Sequence, residues 1–327
     1  MAAPVPVNAG GLPDFDALWD FQHPDSTEAA FLAILPAARE AAAREEARTG
    51  PAAAREAASA GDGPAREAPA RGYLVELLTQ IARTQGLQRR FDDAHGTLDE
   101  AQSLLRADLE RARVRTMLER GRVFNSSGRR EEARPHFADA WELARASGED
   151  GLAVDAAHMI AIVETPENAL AWNLDALALA EASSDPKAGR WRGSLYNNIG
   201  WTYHDMARYD EALEHFRKGE SWRREQGQAR ETRIATWSVA RCLRSLGRVD
   251  EALALQYELA KEWAAAGEPD GYVPEEIGEC LLALGRAGEA RPYFAEAYTL
   301  LSNDPWLGAN EPERLRRLAR LGGVEAP

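Results

Sequence analysis

The sequence predicts an all-α protein built as a solenoid of antiparallel two-helix hairpins closed by a C-terminal capping helix. Three observations carry that expectation. Ala, Leu, Glu and Arg, all good helix formers, dominate the 327 residues, while runs rich in Val, Ile and Thr are nearly absent. The stretch Gly193–Gly227 spaces its apolar and small residues every three or four positions, the period of two amphipathic helices, with a break at Ala207-Arg208. A small residue followed twelve positions later by alanine then recurs along the chain, as Ala82/Ala94, Gly121/Ala133, Ala157/Ala169, Gly200/Ala212, Ala240/Ala252 and Gly278/Ala290. Twelve residues separate the points where two helices of a hairpin touch, and close approach there leaves room only for a small side chain.

Taken in order, residues 1–13 are rich in Pro, Gly and Ala and are expected to be disordered. Phe15, Leu18, Trp19 and Phe21 suggest a short apolar turn, and Asp25-x-x-Glu28 reads as a capping box opening a helix with Phe31, Ile34 and Leu35 on one side. Pro36 is expected to kink or break that helix, so residues 14–44 read as a degenerate first hairpin. Residues 45–71 repeat Ala-Arg-Glu between prolines and glycines and offer almost no large apolar side chain, the composition of a flexible insertion.

Six hairpins then follow over residues 72–302. Gly128, Gly247 and Gly285 mark turns between their helices. The hairpin around Asn173 is the loosest, with Pro166 in its turn. Pro305 ends the last one. Residues 303–327 contribute the capping helix, with Asn310 as its cap, Leu315, Leu318 and Leu321 as its apolar stripe, and Arg314, Arg316, Arg317 and Arg320 elsewhere.

The fuller pattern in Gly193–Gly227 is Tyr196-x2-Ile199-Gly200-x2-Tyr203 followed by Ala212-x3-Phe216. It resembles the tetratricopeptide repeat, W-x2-L-G-x2-Y then A-x3-F, with Tyr196 in place of the tryptophan and without the proline. The resemblance covers residues 72–302, strongly at four repeats and loosely at two. Steps of 39, 36, 43, 40 and 38 residues between the alanines exceed the family's usual step of about 34, similar to kinesin light chain repeats. The resemblance implies a right-handed superhelix whose first helices line a concave groove.

Charge and chemistry exclude much. A net charge of −14 argues against a nucleic-acid partner. No apolar run is long enough to cross a membrane and no secretory signal is visible, so a cytoplasmic location is expected. Glycine loops for nucleotides, GxSxG and HExxH are absent, and no two of the six histidines lie three or four residues apart. No metal or cofactor and no enzymatic activity are therefore expected. Cys242 and Cys280 share one register position and read as buried, reduced thiols.

The resemblance also says where a ligand would be met: three before, one after and four after the small residue of each first helix. One after gives Arg83, Arg122, His158, Trp201 and Arg241; four after gives Asn125, His204 and Arg244; three before gives Asn197 and Trp237. Arg115, six before Gly121, joins them. Guanidinium forks suit carboxylate or phosphate and indoles give broad apolar platforms, so the set points to a protein or peptide ligand, acidic or carboxylate-terminated. Structural ion pairs to Asp155, Asp205, Glu275 or Glu279 are the competing use of the same arginines. A chaperone-tail carboxylate clamp is disfavoured: Asn197 and Asn198 fit, but Ile234 and Ser238 stand where Lys and Arg would be needed. The expected role is a non-catalytic scaffold or adaptor. The alternatives are a ligand-responsive sensor with a separate effector and, less favoured, an enzyme using His158, His204 and Arg241.

Overall fold

The computed structural model describes residues 7, 11–49 and 69–325, and its helices fall where the twelve-residue spacing places them. Among the described residues the only β pairing is an isolated bridge between Val7 and Pro13. The chain divides between Trp191 and Arg192 into two compact units. The first holds α1 (Pro24–Thr49), then the hairpins α2 (Pro69–Leu87)/α3 (Phe91–Ser103), α4 (Glu110–Ser126)/α5 (Arg130–Ser147) and α6 (Asp150–Val163)/α7 (Pro166–Ala182), and the short α8 (Pro186–Gly189). The second holds α9 (Arg192–Asp205)/α10 (Tyr209–Glu225), α11 (Ala229–Ser245)/α12 (Val249–Ala266) and α13 (Tyr272–Ala283)/α14 (Ala287–Leu301), followed by α15 (Pro305–Asn310) and α16 (Pro312–Gly322). Within each unit the helices of the hairpins pack on their sequence neighbours, so consecutive hairpins stack.

The contact inside a hairpin has a recurring chemistry. Where the small residue is glycine, a phenylalanine sixteen positions on lies over it: Phe137 over Gly121, Phe216 over Gly200 and Phe294 over Gly278. All three rings are fully buried. Where the small residue is alanine, the partner is Leu98, Asn173 or Gln256 instead. Burying one such ring contributes about 2–3 kcal/mol, which is why a mid-helix glycine is tolerated at these crossings.

The turns repeat as well. The residue before each second helix's N-cap has positive φ at Arg89, Gly128, Ala207, Gly247 and Gly285. The N-cap itself is an arginine whose carbonyl accepts from the register alanine, as in Arg208 to Ala212 (3.0 Å). Its guanidinium pairs with the acid three residues on: Arg90–Asp93, Arg129–Glu132, Arg208–Glu211, Arg248–Glu251 and Arg286–Glu289. The hairpin around Asn173 breaks both rules. Glu164 is extended there and Thr165-Pro166 starts the second helix, because a residue preceding proline is driven out of the helical region. The long repeat step has its origin in second helices of 17–18 residues in α5, α7, α10 and α12, in the connection between α3 and α4 after a 13-residue second helix, and in α8.

Several local expectations are corrected. Residues 14–44 are not a two-helix hairpin: they form a 3-10 turn (Phe15–Leu18) and most of α1, whose packing partner is α2. α1 passes through Pro36 without interruption, with that proline exposed. The Asp25/Glu28 capping box does not form. Pro24 begins the helix, and the buried Glu28 instead accepts from Gln88 (2.8 Å) and Arg90 at the first hairpin's turn. α1 extends five residues into the segment 45–71 and α2 begins three residues before its end; residues 50–68, like most of 1–10, lie outside the described residues. The buried Glu45 carboxylate accepts from the backbone N–H of Ala70 and Arg71, joining the two helices.

At the C-terminus, Asn310 closes α15, its side-chain amide donating to the Trp306 carbonyl, and Glu311 is the N-cap of α16. α16 lies on α14, with Gly322 pressed against the Ala295 backbone. Arg314 and Arg317 on its basic side tie it to Glu275 and Glu279 of α13. No helix among the described residues is long and apolar enough to cross a membrane.

Candidate binding face

In unit 1 the first helices α2, α4 and α6 carry Arg83, Arg115, Arg122 and Asp155 into one open cavity of about 370 Å³. Register explains their meeting. The residue one after the small position reaches the residue two before the small position of the next hairpin. Arg83 thus donates to Glu119 (3.3 Å), and Arg122 to Asp155 as well as to Glu119 on its own helix. Arg115 is almost wholly buried, donating to Asp16 (2.9 Å) with its Nε 3.0 Å from Glu76. Burial works against the Arg122 charge, but Asp155 and Glu119 outweigh it and hold the group above the ordinary arginine range. Arg83 is shifted the other way by burial and by the neighbouring Arg122.

These three arginines are therefore already neutralised. The cavity's remaining cations are ones the register did not indicate: Lys187 of α8 and Arg190 just after it, both exposed and with no ion pair among the described residues. Rings wall the same space. Trp19 and Phe21 stack 4.6 Å apart, with the Arg83 guanidinium 5.6 and 5.4 Å from their centroids, and Trp191 faces in from beyond α8. His158 packs against the Trp191 ring at 5.1 Å and lies behind the lining. Asn125, at the end of α4, is outside it.

Unit 2 presents a different face. Trp201, Trp237 and Tyr272, from successive first helices, form a stripe with centroids 6.0 and 6.2 Å apart, and the Trp237 Nε1–H donates to the Tyr272 carbonyl (3.2 Å). Arg241 and Arg244 both turn to the buried Glu276, which stands two before Gly278 and so repeats the unit 1 rule. Arg241 also donates to Ser245 (2.7 Å), whose hydroxyl is 2.9 Å from His204 Nε2. His204 additionally contacts Trp201, and burial followed by Arg241 lowers its pKa. Asn197 lies half-buried on α9. Glu119, Asp155 and Glu276 share the position two before the small residue, but Gln80, Asn198 and Ser238 hold it in the other hairpins, so no acidic column marks them in the sequence. The cations of α8 and the N-terminal rings belong to no column.

Residues 193–226 match the family model of the tetratricopeptide repeat. The chain carries a tetratricopeptide repeat over these residues. The match falls on α9/α10, the hairpin whose Tyr196, Ile199, Gly200, Tyr203, Ala212 and Phe216 are all buried. No curated protein matches the chain. Among solved structures, the apo form of RapI superposes with TM-score 0.63 at 11% identity, covering 89% of this chain and 86% of RapI. The apo form of the quorum sensor NprR from B. thuringiensis gives 0.56 at 14% identity, covering 89% and 82%. The Pyrococcus horikoshii signal transduction ATPase PH0952, described as having a tetratricopeptide repeat sensor, gives 0.62 at 13%. It covers 91% of this chain, which spans about half (47%) of that protein's length. At these identities the likeness is one of fold.

Among the described residues no three His, Cys, Asp or Glu side chains gather in a metal-binding group. Cys242 and Cys280 are buried, and burial raises their pKa values to about 11 and about 12, so both stay protonated thiols.

Proposed function

We propose that the protein is a non-catalytic scaffold that binds a peptide or peptide-like segment of a partner on the first-helix face of unit 1. One observation carries this reading: Lys187 and Arg190 stand exposed, without an ion pair among the described residues, beside Trp19, Phe21 and Trp191, in a chain whose net charge is −14. Unpaired cations beside aromatic platforms suit a carboxylate-bearing segment with an apolar side chain. Arg83, Arg115 and Arg122 support that face by holding its helices together and contribute less to ligand charge than Lys187 and Arg190. Unit 2 by itself offers a more apolar surface of Asn197, Trp201, His204 and Trp237. Arg241 and Arg244, held by Glu276, serve it structurally.

Binding of acidic and basic peptide libraries to the wild-type chain and to Lys187→Glu/Arg190→Glu tests this. Acidic peptides are expected to lose at least tenfold in affinity with the melting temperature unchanged; equal binding by both proteins would overturn the reading. The fold neighbours described as sensors favour a second reading in which the bound segment changes the protein's shape. A fall in the radius of gyration on adding a bound peptide would select the sensor, and an unchanged radius the plain scaffold.

A further inference from the structure

The first-helix face of unit 1 already holds a peptide, and it is the chain's own. Residues 13–21, Pro-Asp-Phe-Asp-Ala-Leu-Trp-Asp-Phe, contain one 3-10 turn with extended caps and touch α1, α2 and α4. Each contact is of the kind a bound peptide makes. The Tyr73 hydroxyl of α2 donates to the Pro13 carbonyl (2.7 Å). The Phe15 ring enters a slot between Phe31 and Tyr73, with the Arg115 guanidinium 5.6 Å from its centroid. Asp16 accepts from both terminal nitrogens of Arg115, 99 residues away in sequence. The Trp19 Nε1–H donates to Gln80 Oε1 (3.1 Å).

The segment is packed on one side and open on the other: Phe15 joins the core of α1 and α2 with Leu18 and Trp19 against it, while its acids and Phe21 face outward. Of residues 13–21 only Phe15 is buried; the Asp16 side chain is 43% exposed and Phe21 is 60% exposed. A four-residue 3-10 turn has little stability of its own, so the segment's hold on the face rests on these side-chain contacts. Burial works to raise the Asp16 carboxyl, but Arg115 outweighs it and keeps the group below the ordinary carboxylate range. The face therefore favours the ionised acid. Asp16, Trp19 and Phe21 also line the cavity, so a ligand entering it meets this segment.

We infer that residues 13–21 are an intramolecular ligand of unit 1, and that the face they cover takes partner peptides in which an aromatic residue directly precedes a carboxylate and an indole follows three positions on. The inference rests on the peptide-binding reading above and deepens it by naming the ligand's chemistry and its competitor. A peptide of this kind takes the place of residues 13–21, bringing its own rings and carboxylate in place of Trp19, Phe21 and Asp16 while keeping Lys187, Arg190 and Trp191 as lining, so its apparent affinity is reduced by the fraction of time the face is free.

The test uses the full chain and a fluorescein-labelled synthetic peptide of residues 11–22. The variant Phe15→Ala/Asp16→Arg is expected to bind this probe at least tenfold more tightly than the wild type, and a scrambled probe should bind neither. Equal affinities, or equal binding of the scrambled probe, would overturn the inference. If the variant loses helicity, hydrogen exchange on the wild type decides: amides of residues 15–18 should exchange at least a hundredfold faster than those of α2, and equal protection would overturn it. Library peptides that bind wild type and variant alike would remove the competitor and leave the peptide-binding reading standing. Absence of binding by any peptide to either protein would remove both.

Discussion

Arg122 donates to Asp155 across the boundary between two hairpins, one residue after the small position on its own helix and two before it on the next. The same offset joins Arg83 to Glu119 and Arg241 to Glu276. Residues that face ligand in the family pattern here hold one repeat to the next. Because Glu119 and Asp155 are both buried, their charges depend on that arginine. Replacing Arg122 by alanine should cost about 3–5 kcal/mol, the range for stranding buried charge. The double variant Arg122→Ala/Asp155→Ala should cost less than the sum of its single variants, read by urea denaturation. Strict additivity would show that the pair is not coupled.

Gly200 lies under the Phe216 ring so closely that a Cβ would sit 2.5 Å from its Cε1. Gly200→Ala should therefore destabilise by about 1–3 kcal/mol through overpacking, despite the better helix propensity of alanine. The chain itself supplies the remedy, since Ala82 faces Leu98 in the equivalent place. Gly200→Ala/Phe216→Leu should recover part of the loss. A double variant no better than Gly200→Ala would contradict this account of the pairing.

Gln256 occupies the same position in α12, fully buried, with neither amide atom hydrogen-bonded among the described residues. An unsatisfied buried amide costs roughly 1–3 kcal/mol. Gln256→Leu, copying Ala82/Leu98 opposite Ala240, should raise the melting temperature without changing helix content. A fall in melting temperature would mean that the amide has a partner in solution.

Stability should decline on mild acidification. Burial, followed for His204 by Arg241, holds the pKa values of His158 and His204 below the ordinary 6.5. The unfolded chain then binds those protons more readily than the folded one. The contribution is complete above about pH 6.5, falls as pH drops towards the folded-state values and is gone below them. Denaturation midpoints at pH 7.5 and 5.5 should differ for the wild type and differ less for His158→Gln/His204→Gln. An unchanged difference would assign the loss to other groups.

Much of the architecture was legible from local pattern. Helix content, hairpin registers and the glycine turns follow from propensity and from a spacing of twelve that recurs six times, each signal lying within about forty residues of sequence. Gly128, Gly247 and Gly285 are left-handed as read, though Arg89 and Ala207 take the same conformation without announcing it. The first hairpin was misread because Pro36, tolerated on the exposed side of α1, looked like a break. Nothing local said that α1 would pack on a helix beginning beyond residue 68.

The sequence by itself determined a stack of two-helix repeats and which residues each first helix offers. Tertiary structure alone decided how those residues are used. Whether an arginine meets a ligand or a carboxylate depends on what the next hairpin places two residues before its small position. The composition of the unit 1 cavity depends on segments that belong to no repeat, residues 13–21 and α8, which reach it only by folding back over the first helices. Charge compensation and cavity lining are long-range properties, set by which side chains are brought within a few ångströms, and periodicity carries no record of them.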